Sequence, residues 1–158
     1  MRRVLFALLL LVVTPALAAD WGQYANARFG YAVAVPPGFV GQGESDNSDG
    51  QVFRSPTATL TVWGGNILSG DFESEFRARQ QSAADGGWGI TYQVSTPSNG
   101  SYSGKRGGRI MYTRLIALCG GSQFAAFELD YSRADLSKFD PVVTRLVQSF
   151  RGGKGATC

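Results

Sequence analysis

The chain has 158 residues, of which 44% are hydrophobic and 17% are charged, and it contains no histidine. This composition is typical of a globular domain and excludes a disordered or collagen-like chain. The lack of histidine excludes Ser-His-Asp and Cys-His catalysis, histidine-ligated metals and histidine pH switches.

The N-terminus has the features of an export signal. Arg2 and Arg3 precede a ten-residue apolar run, and Ala16 and Ala18 fit an Ala-x-Ala cleavage site. The run is shorter than the ~20 residues that a membrane span requires, although an uncleaved anchor or a buried helix stays open. We therefore expect a protein that is periplasmic or secreted and does not span a membrane.

Three segments are predicted on this basis. Residues 1–18 form a cleaved signal peptide, 19–151 form a single domain, and 152–158 form a flexible glycine-rich tail. The processed chain carries 13 basic and 12 acidic side chains, a net charge of +1. The basic isoelectric point of the precursor is therefore poor evidence for a nucleic-acid partner, and none is expected.

The first half of the domain predicts strands followed by a helix. Alternation of apolar residues predicts one strand within 24–36, ended by two prolines, and a polar loop follows over 41–50. Two further strands are expected at 51–55 and 58–64. The period then changes, and a helix is predicted over 71–85 with Asp71 as its N-cap.

The second half predicts hairpins and a final helix. Residues 88–95 alternate apolar and polar side chains, which is typical of a half-buried strand, and a turn with Asn99-Gly100 at its tip follows. Apolar strands at 109–119 and 123–131 form a hairpin. The last helix is expected to begin at the cap Asp140 and to carry an apolar stripe that ends at Phe150.

This order of elements predicts an α+β domain, because the helices do not alternate with every strand. An antiparallel sheet with helices packed on it is the expected architecture.

Two segments of this chain resemble PsbP-like domains. Phe29-Gly30-Tyr31 leads into Val35-Pro36-Pro37-Gly38-Phe39, an aromatic strand that runs into a Pro-Gly-aromatic turn, and the chain ends in a Tyr-rich hairpin and a helix closing in Gln148-Ser149-Phe150. The resemblance implies an α/β/α sandwich around an antiparallel sheet. It also implies a protein that is not a catalyst, since members of the family include extrinsic photosystem subunits, a Ran-binding protein and bacterial envelope proteins.

The two cysteines, Cys119 and Cys158, both lie in the processed chain. An even count in an exported protein favours a disulfide, which would fasten the C-terminal tail to the sheet edge. A redox-active thiol is less favoured because there is no Cys-x-x-Cys motif. Two free thiols or an intermolecular bond stay open.

A cluster of basic residues is the main candidate for partner binding. Lys105, Arg106 and Arg109 flank a predicted turn, with Arg114 nearby, and residues 101–158 carry nine basic and four acidic side chains. Such a cluster fits an anionic envelope component or the acidic surface of an envelope protein. The alternative is that these charges only keep the tip of a hairpin soluble.

Three other candidates carry competing structural interpretations. The acidic loop Glu44–Asp49 offers oxygen ligands, but it departs from the calcium-loop pattern and fits a solvated turn better. Glu128 and Asp130 share one face of a strand and could act together as catalytic acids in hydrolysis, but a neighbouring arginine could pair with them equally well. Four aromatic residues fit either a ligand groove or the core: Trp63, Trp88, Tyr102 and Tyr112.

We therefore expect a monomeric accessory or binding protein that is not an enzyme. No catalytic residue, cofactor or metal ligand is predicted. The alternatives are a carrier of a small ligand or lipid and, less favoured, a carboxylate hydrolase.

Overall fold

The computed structural model describes residues 20–153 and residue 158. The predicted signal peptide lies outside these residues. Within the described part, two α-helices and ten strands follow one another in this order: β1 (Gly22–Asn26), β2 (Tyr31–Val35), β3 (Val40–Glu44), β4 (Gly50–Arg54), β5 (Ala58–Asn66), α1 (Phe72–Asp85), β6 (Gly89–Thr96), β7 (Asn99–Arg106), β8 (Arg109–Leu118), β9 (Gln123–Ser132), α2 (Leu136–Ser149) and β10 (Arg151–Gly152).

The strands form two antiparallel sheets. The larger sheet has seven strands in the order β3-β4-β5-β9-β8-β7-β6, and the smaller has the order β1-β2-β10. This arrangement confirms the α+β prediction. For β6, β7 and β8 it follows from the short turns, since two-residue connections allow only antiparallel neighbours.

Two apolar clusters hold the layers together. On one face of the large sheet, α2 and the small sheet pack over β4, β5 and β9, with Phe127, Leu129 and Leu146 fully buried. On the other face, α1 packs over β6 and β7 through Phe72 and Phe76. Strand β8 contacts both clusters, so both of its apolar faces are covered.

Several predicted elements are confirmed at the level of single residues. Asp71 caps α1, because its carboxylate accepts a hydrogen bond of 2.8 Å from the Ser74 amide. The same helix also carries an ion pair between Glu75 and Arg79, one turn apart, at 2.7 Å. The hairpin of β8 and β9 turns at Gly120, where φ is 66° and glycine is favoured.

Other boundaries differ from the prediction. The segment 24–36 holds two strands, because four residues after Asn26 turn the chain back on itself. The polar loop contains β3, an exposed edge strand, because backbone pairing with β4 does not require apolar side chains. The hairpin of β6 and β7 turns at Pro97-Ser98, so Asn99-Gly100 begins β7.

The predicted start of the last helix is wrong. Helix α2 begins at Leu136 after a single 3₁₀ turn, and Pro141 lies inside it. The apolar stripe explains this, since Phe139 lies one turn before Val142 and Val143 and is itself buried. In the described residues, no helix has both the length and the apolar character needed to cross a membrane.

Candidate functional site

The most distinctive surface is one face of β6, β7 and β8 that neither helix covers fully. We call it the open face. Side chains alternate along each strand, and the register places one set on this side. The open face is formed by Tyr92, Val94 and Thr96 of β6, by Ser101, Ser103 and Lys105 of β7, and by Ile110, Tyr112, Arg114 and Ile116 of β8.

A groove of about 520 Å³ separates the open face from α2, and we call it the tyrosine groove. Its apolar lining comes from both sides: Tyr92, Ile110, Tyr112, Tyr131, Leu136 and Val143. Its polar lining includes Lys105, Arg133 and Asp140. A concave site that is largely apolar, with a few polar groups, is typical of binding sites.

The apolar side chains of this region are unusually accessible. Tyr92, Val94 and Leu136 are 51%, 48% and 44% exposed, and they are three of the five large exposed hydrophobic residues found in the described chain. Clustered apolar exposure marks a surface that binds something, whereas single exposed hydrophobic residues are common.

Positively charged side chains outnumber negatively charged ones in the lining of the groove. In the described residues, neither Lys105 nor Arg133 forms an ion pair with a carboxylate. Asp140 is the acid of the groove lining. Burial and the carboxylate of Asp140 raise the pKa of Tyr131 above its ordinary value, so this hydroxyl stays protonated in the groove.

Arg114 adds a third cation to the open face. Its guanidinium donates hydrogen bonds to the Ser101 hydroxyl at 3.0 Å and to the Asn99 side chain at 3.3 Å. Its buried Nε has no hydrogen-bond partner among the described residues, and no carboxylate there pairs with it. The charge is therefore oriented by its neighbours without being neutralised.

The structure separates the three predicted basic residues. Lys105 lies on the open face, whereas Arg106 and Arg109 face the opposite side, because adjacent residues of a strand point in opposite directions. Arg106 lies over the Trp88 ring at 4.5 Å and donates to the Gly86 carbonyl. Arg109 pairs with Asp130 at 2.7 Å. Of the three, Lys105 alone borders the groove.

The acidic loop uses its oxygens internally. Asp49 accepts hydrogen bonds from Ser45 at 2.6 Å and from Asn47 at 2.8 Å, and Glu44 accepts one from the Tyr24 hydroxyl. The described residues contain no cluster of three or more side chains that could hold a metal ion. The loop thus has the geometry of a hydrogen-bonded turn.

The four aromatic residues that fitted either a ligand groove or the core do not form one site. Trp88 and Tyr102 are buried under α1, with Trp63 packed against the same cluster, whereas Tyr112 lies on the other face of the sheet. Tyr112 lines the tyrosine groove instead. Alternation along the strands again decides which residues meet.

Glu128 and Asp130 share the face of β9 opposite the groove. Glu128 lies between Thr61 and Thr113 of the flanking strands, and the Thr113 hydroxyl lies 3.4 Å from it. Burial, with a smaller contribution from Asp130, raises the pKa of the Glu128 carboxyl. The two acids lie two residues apart on one strand, so they do not face each other across a cleft as a hydrolytic pair would, and Arg109 already pairs with Asp130.

Replacing Glu128 with glutamine is expected to raise the melting temperature, by an amount that grows with pH. The Glu128 carboxyl keeps its proton to higher pH in the folded protein than in the unfolded chain, where its pKa has the ordinary value of 4.5. Native stability therefore falls as the pH rises from 4.5 through the higher native pKa, and glutamine removes this loss. Thermal unfolding of both proteins from acidic to neutral pH measures the difference.

The comparison variant is Asp130→Asn, which breaks the half-buried pair with Arg109. It removes only the smaller contribution to the pKa of Glu128, so its gain should be smaller than that of Glu128→Gln at every pH. If Glu128→Gln and the parent protein melt alike at neutral pH, burial does not perturb this carboxyl.

The two cysteines are joined within the chain. Their sulfurs are 2.09 Å apart and their Cα atoms 5.2 Å apart. Cys119 follows β8, an interior strand, so the bond is at the end of a central strand and not at an outer edge of the sheet. Nearby, Arg151 and Gly152 pair with β2, so the segment after α2 contacts the small sheet as well.

Sequence reasoning missed several residues of the site, among them Tyr92, Val94, Arg133 and Leu136. A usable signal was present, because residues 89–96 contain no charge and no proline while alternating apolar and polar side chains. That pattern alone is equally typical of a strand with a buried face.

No family model matches the sequence, and no curated protein matches it. Solved structures do match the fold. The solution structure of cyanobacterial PsbP (CyanoP) from Synechocystis sp. PCC 6803 is 14% identical with a TM-score of 0.63, and the match covers 88% of this chain and 96% of that one.

A second similar structure is the Ran-binding protein Mog1p of Saccharomyces cerevisiae. It is 11% identical with a TM-score of 0.61, over 89% of this chain and 98% of that one. A mutant form of Mog1 gives 10% identity and a TM-score of 0.58, over 87% of this chain and 97% of that one. Identities this low establish the fold alone. The chain therefore has the PsbP-like fold that its sequence resembles.

Proposed function

We propose that this protein is a periplasmic or secreted accessory protein that binds a partner, without catalysis, through the tyrosine groove and the adjoining open face. The main support for this proposal is that Tyr92, Val94 and Leu136 are exposed in the same region of the surface. Cations that have no carboxylate partner in the described chain lie beside them. Tyrosine and arginine are typical of the residues that dominate binding energy.

The partner that fits this surface is an envelope protein with an acidic segment or an anionic component of the envelope. Lys105, Arg133 and Arg114 would attract its negative groups, while the tyrosines contact its apolar parts. The fold neighbours support a binding role in general terms, since one of them is a Ran-binding protein. The predicted signal peptide and the joined cysteines support an oxidising location outside the cytosol.

A carrier of a small ligand or lipid is the second candidate. The groove volume of about 520 Å³ is in the range of ligand sites, and most of the lining is apolar. The groove is open along β6, where Tyr92 is half exposed, so a ligand would stay partly in water. That geometry favours a partner with its own surface over an enclosed ligand.

A photo-crosslinking residue in place of Tyr92 is expected to capture the partner in intact envelopes. The control has the same crosslinking residue in place of Leu68, which is 91% exposed, follows β5 and does not line the tyrosine groove. Reversing Lys105 and Arg133 to glutamate should reduce capture about tenfold or more, because like charges would then oppose the partner's acidic groups. Quantitative immunoblotting and mass spectrometry of the product measure the yield and identify what was captured.

The reversal of Arg106 and Arg109 is the matched charge control, since both side chains face away from the groove. If that variant lost capture and Lys105→Glu/Arg133→Glu did not, the partner would bind the opposite face. A co-purifying lipid or small molecule in native mass spectra, with equal protein capture at positions 92 and 68, would contradict the proposal in favour of the carrier.

A further inference from the structure

Among the residues that the structure describes, no strand pairs with the outer side of β6, so it is a free edge of the large sheet, and its sequence does not protect it. Its eight residues, Gly89–Thr96, include no charge and no proline, and all of them except Ile90 are exposed. Natural edge strands are normally short, charged, bulged or covered, because unpaired backbone groups recruit other strands. A bulge near Thr91 disturbs the start of β6 and leaves Tyr92–Thr96 regular.

The opposite edge of the same sheet is different. Strand β3 has five residues, two of them glycines, and its register with β4 shifts between Gly41 and Glu44. Gly43 has a φ of 96°, which a regular strand does not adopt. The sheet therefore has one regular edge for pairing, and an assembly through that edge closes after two copies.

We propose that two copies of this chain associate by antiparallel pairing of Tyr92–Thr96, with the two-fold axis at Val94. The two seven-stranded sheets then become one continuous sheet. This departs from the monomer expected from the sequence, because alternation along a strand does not show whether the strand is at an edge.

The side chains of β6 complement themselves in this register. On the open face, Val94 lies opposite Val94 of the partner subunit, and Tyr92 lies opposite Thr96 of the partner subunit. Aromatic and β-branched cross-strand pairs of this kind are favourable, and the strand has no like charges to oppose each other. Gln93 and Ser95 pair on the other face, where both are polar.

Both faces of the sheet are hollow next to β6, which leaves room for the side chains of a paired strand. The tyrosine groove lies on one side, and on the other a depression of about 350 Å³ is lined by Gln80 of α1 and by residues 90–93. Polar side chains of the incoming strand would enter this depression. Because the two-fold axis is perpendicular to the sheet, both tyrosine grooves fall on the same side of the dimer.

The dimer is expected to be weak and reversible. Five paired residues bury less than the roughly 1,000 Å² typical of a stable interface. A dissociation constant in the micromolar range or weaker follows from that size. The association does not depend on the proposed partner, so either proposal can fail without the other.

Cysteine scanning of the processed chain tests the register. Val94→Cys is expected to form a disulfide-linked dimer under mild oxidation, because directly opposed Cβ atoms lie ~4.5–5.5 Å apart. Gln93→Cys and Ser95→Cys do not oppose themselves and should stay largely monomeric, as should Gln42→Cys on β3. Non-reducing electrophoresis and intact mass measure the fraction linked.

Sedimentation velocity of the unmodified protein tests the association itself, from ~1 µM to ~1 mM. A concentration-dependent dimer is expected, and Val94→Lys should abolish it by opposing two charges at the two-fold axis while leaving the melting temperature unchanged. A monomer throughout this range, equal linking at all four cysteine positions, or a dimer that persists in Val94→Lys would overturn the proposal.

Discussion

Replacing Phe127 with alanine is expected to lower the free energy of unfolding by about 3–5 kcal/mol, the usual cost of removing a buried phenylalanine. Phe127 is fully buried in the central strand β9. Its ring stacks on Tyr112 at 6.1 Å and meets the edge of Phe150 at 5.2 Å. The substitution therefore leaves a cavity where the sheet, α2 and the wall of the tyrosine groove meet. Chemical denaturation with an unchanged slope measures the loss.

Tyr92→Ala is the matched control, because it removes an aromatic ring of similar size from the half-exposed edge strand. Its effect on stability should stay within about 0.5–1 kcal/mol, as for most surface substitutions. Similar losses in both variants would mean that the groove side of the sheet is as tightly packed as the core, which would argue against an open binding surface.

Removing the bond between Cys119 and Cys158 is expected to cost up to about 4 kcal/mol, with serine at both positions. The bond closes a loop with a sequence separation of 39 residues, which includes β9 and α2. In the chain-entropy account, such a loop restricts the unfolded chain strongly. Denaturation of the double variant and of the oxidised parent protein gives the difference.

Reduction of the parent protein provides the independent control, because it opens the same loop without changing any residue. The reduced protein and the double variant should unfold at the same denaturant concentration. A double variant as stable as the oxidised protein would show that the C-terminal segment adds nothing to the folded core.

Much of the fold could be predicted because it depends on local patterns. Neighbouring residues encode three of its features: the apolar stripe that ends at Phe150, the N-cap at Asp71, and strand β8 with apolar side chains on both faces. The start of α2 was missed because Asp140-Pro141 imitates a helix N-terminus. Tertiary packing of Phe139 extends the helix beyond that local signal.

The candidate site depended more on long-range arrangement. Lys105 was identified from its charge, but Arg106 and Arg109 were grouped with it because they are close in sequence. In the sheet they occupy the opposite face. Tyr92 and Val94 were expected to be half-buried, yet they are exposed, because the bulge near Thr91 places them on the face opposite Ile90, which packs under α1.

The amino-acid sequence by itself determined where most strands and turns occur and that histidine chemistry is absent. It did not determine every shared face, since the bulge near Thr91 places Tyr92 and Val94 on the face opposite Ile90. The tertiary structure alone decided which strand became the free edge and which apolar face stayed uncovered. The physical reason is that alternation along a strand records only the direction of side chains. Burial depends on which distant segments pack against them, and no local pattern contains that information.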